Sequence, residues 1–112
     1  MGKGRNIADI GSHDVIETDS DGVTITGSVV ATTDADATNT GSVTLDFAAN
    51  QNFVLTLTGN VTLANPTTEQ VGQSGFIVFI QDGTGSRTVS LGTDYETAGG
   101  AGLTLSTAAS AT

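Results

Sequence analysis

The chain has 112 residues, room for one domain. Twelve acids against three bases give it a net charge of −9, which speaks against binding nucleic acid or an anionic membrane. It has no Cys, which excludes disulfide and thiolate chemistry. No apolar run suits a signal peptide or approaches the ~20 residues of a membrane-spanning helix.

Leu, Ile, Val and Phe supply 27 residues, enough for a thin core. Thr, Ala and Gly dominate the rest, and long helix formers are scarce, with one Met in the chain. Thr and Val at this density favour strands. The expectation is an all-β protein, specifically a small antiparallel β-sandwich of jelly-roll type with an extended N-terminal arm.

Residues 1–22 form the arm. Lys3 and Arg5 make its tip basic, Ile7, Ile10, Val15 and Ile16 are scattered along it, and Gly2, Gly4 and Gly11 oppose a stable helix. Such a segment gains order on a partner surface. Lys3 and Arg5 would lie near carboxylates there, with Ile7 and Ile10 in apolar grooves. Near His13 and Asp14, Asp19-Ser20-Asp21-Gly22 opens like a calcium loop. It lacks the third acid and the closing Glu, so a solvated turn is expected and no metal.

Residues 23–112 are expected to form the β-sandwich domain. Three segments share one pattern: Thr26-Gly27-Ser28-Val29, Thr40-Gly41-Ser42-Val43 and Thr58-Gly59-Asn60-Val61. Each reads as a turn feeding a new strand, at spacings too uneven for a fixed-period solenoid. Residues 31–40 read as a loop or solvated edge. Val43–Ala48 reads as a strand with Val43, Leu45 and Phe47 inward. Gly59-Asn60 reads as a two-residue hairpin joining Phe53–Thr58 to Val61–Ala64.

Gly75–Gln81 is the most apolar run and carries no charge. It predicts a strand buried on both faces, with Phe76, Val78 and Ile80 on one side and Ile77 and Phe79 on the other. Asp82-Gly83-Thr84-Gly85-Ser86 predicts a tight hairpin into Arg87–Leu91. The glycine-rich run Ala98–Gly102 reads as a loop, and Leu103–Leu105 as a last short strand. Small polar residues end the chain at Thr112 with no strand to close the sandwich, so further natural sequence is expected beyond it.

Chemistry is sparsely represented. The single His lies in the arm, so a Ser-His-acid set is not expected. Asp34 and Asp36, and Asp94 and Glu96, pair acids without a cleft or a recognisable ligand set. No enzyme activity, cofactor or metal is expected. Arg87 is the only base after residue 5. It is expected either to pair with Asp82 or a nearby acid, or to contact a partner subunit.

Residues 45–109, through LTLTGNVTLANP, VGQSG and QDGTGSRT, resemble a β-rich module of tailed-bacteriophage virion proteins, found in appendage fibres and small head-associated proteins. The resemblance implies a non-enzymatic, oligomeric virion component made in the host cytoplasm. Size favours a capsid decoration (cement) protein on the outer surface of the head, bound to the major capsid protein and self-associated as a homotrimer. The alternatives are a tail-fibre or head-fibre subunit, and a glycan-binding module of a receptor-binding protein. The scarcity of Trp and Tyr weighs against the last.

Overall fold

The computed structural model describes residues 26–112. The arm, with Lys3, Arg5, Ile7 and Ile10, and the turn at Asp19–Gly22 lie outside the described residues. Four strands form one sheet: β1 (Thr33–Val43), β2 (Asn52–Leu63), β3 (Ile77–Gln81) and β4 (Val89–Leu91). A single 3₁₀ turn, Ala98–Gly100, is the only helical element among the described residues. The strand-rich, nearly helix-free character follows the composition. The antiparallel sandwich does not. β2 is central, β1 flanks it on one side, β3 and β4 share the other, and every pairing is parallel.

The parallel pairings make a stack of rungs. Thr33 lies opposite Asn52 and Val43 opposite Leu63; Phe53 lies opposite Ile77, and Leu63 opposite Leu91. Only residues 44–51 return the chain from the end of β1 to the start of β2, and they contain a turn in which Asn50 N–H donates to Asp46 O (3.1 Å). A straight strand as long as β2 would extend about 40 Å. The return from residue 43 to residue 52 reaches about 30 Å even when fully drawn out. The first two rungs must therefore bend. The β1 register breaks between Asp36 and Asn39 and again between Asn39 and Gly41, which marks the corner.

Gly59-Asn60 sits at that corner inside one continuous strand, so the expected hairpin is replaced by a bend in β2. The likeness of Thr40-Gly41 to Thr58-Gly59 also has a structural counterpart, because these segments meet in adjacent rungs. A Cβ added at Gly59 would run into the Thr40 hydroxyl and come within 3.0 Å of the Thr40 Cβ. In the third rung the corner expands into residues 82–88, an excursion between β3 and β4. Both strands run parallel to β2 and neither pairs with the other, so the predicted Asp82–Ser86 hairpin is also corrected.

The core lines one face of the sheet: Phe53, Leu55, Leu57, Val61 and Leu63 from β2, with Leu45 and Val89. Phe47 packs edge-on against Phe53, ring centroids 5.1 Å apart. Leu45 and Phe47 do point inward, from the return segment rather than from a strand. β1 is a solvated edge with only Asn39 buried. β3 departs furthest from expectation. It is the opposite edge, so its four apolar residues are only half-buried, Gln81 is its one buried residue, and Phe76 just ahead of it is 53% exposed. Leu103–Leu105 forms no strand, although Leu105 packs against the core.

Candidate functional site: the corner loop and the open edge

The corner is where a sheet loses backbone partners, and buried carboxamides supply them. Asn39 and Gln81 flank Leu57 in register on the core face, and they are 2% and 3% exposed. Asn39 Nδ2 donates to the carbonyls of Asp36 and Thr56, each at 3.1 Å. Gln81 Nε2 donates to the carbonyls of Arg87 and Ser106 (2.9 Å each), while its Oε1 accepts from Arg87 N–H (2.8 Å). Gln81 thus ties both ends of the corner excursion to the C-terminal segment. Other amides stitch rung to rung: Asn52 Oδ1 accepts from Phe76 N–H, Asn60 Oδ1 from Thr88 N–H, and Asn65 Oδ1 from Asp94 N–H.

The excursion closes on itself through charge. Asp82 Oδ1 accepts from the N–H groups of Thr84 and Gly85, and Arg87 Nη2 meets Asp82 Oδ2 at 2.8 Å. The Arg87 hydrogen bond, reinforced by Gly85 and Thr84, holds the Asp82 carboxyl at about 2, below its ordinary 3.8. The same contact raises the Arg87 pKa. Arg87 therefore makes the pair with Asp82 that its place after the loop suggested. Gly85 takes φ +74°, and the C-terminal segment lies so close that an added Cβ would be 2.5 Å from Thr107 O. Ser86 N–H and Ser110 N–H bond to Thr107 O and Asp82 O, which seats that segment on the excursion.

Asp34 and Asp36 lie on exposed β1, and among the described residues no group of three or more candidate ligands is placed to hold a metal. A shallow groove runs between the return segments, lined by Phe47, Gln51, Glu69, Gln73 and Phe76 among others. Two of its carboxamides are already committed: Gln73 Nε2 donates to Phe47 O, Asn50 O and Gln51 Oε1, and Gln51 Nε2 to Ser74 O. Tyr95 buries its hydroxyl without a hydrogen-bond partner, and burial pushes its pKa up.

A bent stack of parallel rungs held by corner amides belongs to the class of β-structural modules. A family described as "Putative phage tail fibre C-terminal domain" matches residues 32–112. The chain belongs to that family and is a virion structural module of a bacteriophage. None of the curated proteins and none of the solved structures compared matches it. Asn39 and Gln81 escaped the sequence reading. Asn39 sits in a polar stretch with no period. Gln81 carried a signal in its parity, sharing the odd-numbered face of Ile77 and Phe79.

Proposed function

We propose that this chain is a tail-fibre subunit whose stacked rungs form part of the fibre and whose corners face outward. The observation that carries this reading is the family match over residues 32–112, which covers nearly all of the described fold. It supports the tail-fibre alternative and lends nothing to capsid decoration of the head. A parallel stack suits a fibre, because each rung offers the next an edge to build on. The chain acts through contacts rather than catalysis, and it self-associates. Lys3, Arg5, Ile7 and Ile10 join it to a neighbouring virion protein.

Electron cryomicroscopy of particles assembled without this chain tests the reading. Loss of density from the fibres with unchanged heads is the expected result. Loss of knobs from the head lattice would overturn it. A chain lacking residues 2–12 should keep its β-fold by circular dichroism and fail to enter particles.

A further inference from the structure

Exposed apolar side chains gather at one end of the stack, where β2 begins. Of the five large apolar residues exposed among the described residues, Val71 and Phe76 border the groove between the return segments, and Val29 and Val30 lie on the approach to β1. A patch of this kind marks a surface that something covers. The groove is firm before anything enters it. Gln73 and Gln51 spend their amide N–H groups on backbone carbonyls and on each other, and Gly75 sits against the Gln51 carbonyl with no room for a side chain. Phe47, Phe76 and Ile77 give the cavity its apolar lining. Its volume, about 200 Å³, falls below the roughly 300–1,000 Å³ of small-molecule sites. It suits aliphatic side chains laid across it better than a free ligand.

The chain itself supplies such side chains at that point. Thr32 O accepts from both Gln51 N–H (2.9 Å) and Asn52 N–H (3.0 Å), and Asn52 Oδ1 accepts from Phe76 N–H (3.2 Å). The polypeptide therefore enters β1 beside the groove wall. Ile25 lies seven residues before Thr32, a span of at most about 25 Å. Gly27 bends the chain between them with φ +124°, a value that only glycine adopts readily. In Asp21-Gly22-Val23-Thr24-Ile25 a turn dipeptide precedes an alternating run, which puts Val23 and Ile25 on one face of an extended segment. No charge lies between Asp21 and Asp34.

We propose that residues 22–25 of the same chain lie across this groove, with Val23 and Ile25 seated against Phe47 and Phe76. The tether decides the occupant. A segment already fixed at Thr32 meets the groove at a high effective concentration, which favours it over a separate partner. Charge agrees: in a molecule of net charge −9, an uncharged stretch approaches Glu69, the one charged residue of the groove, without repulsion. Docking there anchors the arm at its base and leaves the basic tip, with Lys3 and Arg5, free for the neighbouring virion protein.

The chain has no Trp, so one can be introduced as a reporter. In the full chain, Phe76→Trp should emit at short wavelength and resist acrylamide quenching. Adding Val23→Ser and Ile25→Ser should move the emission to longer wavelength and raise the quenching constant, whereas adding Val29→Ser alone should change neither. Val71→Trp, at a fully exposed position on the outer lip of the groove, gives the same comparison should Phe76→Trp lose its β circular dichroism. Unchanged quenching when Val23 and Ile25 are replaced, or an equal change with Val29→Ser, would overturn the proposal. So would protection restored by refolding the triple variant with excess wild-type chain, since the groove would then be filled by the segment of another copy.

Discussion

Gln81 shows how much one side chain holds at a corner. Its carboxamide serves Arg87 N–H and the carbonyls of Arg87 and Ser106, one on the excursion and one on the C-terminal segment. Gln81→Leu keeps the volume and strands those groups, which costs about 1–3 kcal/mol; urea unfolding followed by circular dichroism measures it. Asp82 adds a pH dependence with a definite sign. Its folded pKa, about 2, lies below the unfolded value of 3.8. The stabilisation is complete above pH 4 and is lost as pH falls through 2. Asp82→Asn should therefore lower the urea midpoint at pH 6, with the gap to wild type narrowing below pH 4 and closing near pH 2.

At the scale of the element, β2 explains what the sequence revealed and what it hid. Phe53, Leu55, Leu57, Val61 and Leu63 are all odd-numbered and all buried. A two-residue hairpin at Gly59-Asn60 would set Thr58 opposite Val61 and put Val61 on the face away from Leu57. The unbroken parity was a legible argument for one strand through the corner, but turn chemistry outweighed it in the sequence reading. Strand existence and the inward set could be read from period and composition. Strand direction could not, because a parallel rung and an antiparallel strand show the same alternation and differ only in long-range pairing. The Gly75–Gln81 run misled for a related reason: uniform apolarity marks a central strand or an edge that expects company.

Two substitutions separate these cases. Phe53→Ala removes a fully buried ring and should cost about 3–5 kcal/mol, and Phe79→Ala, at the half-buried edge, about 1–3. Thermal melts of the two variants rank them. Gly59→Ala drives a methyl into Thr40 and should cost about 1–3 kcal/mol. Adding Thr40→Gly should recover part of that loss, and the coupling in a double-mutant cycle measures the contact between rungs.

For the whole molecule, the acidic surface sets the terms on which copies meet. Raising salt from 0.01 M to 1 M shrinks the screening length from ~30 Å to ~3 Å. Any self-association of the wild type in sedimentation should therefore strengthen with salt, whereas a contact built on opposite charges would weaken. The corner excursion has a different bearing on the whole. Because β3 and β4 lie along the same central strand, the chain leaves the stack after Gln81 and resumes it at Val89 in phase with what it left. Residues 82–88 are a parenthesis in the polypeptide, with Gln81 and the Asp82–Arg87 pair as its brackets. Doubling such a loop adds only about 0.6 kcal/mol of closure entropy. New residues introduced at exposed Gly83-Thr84 would change the exposed face of the corner and leave every rung in register. The fold thereby separates a text that can be rewritten from the page that carries it.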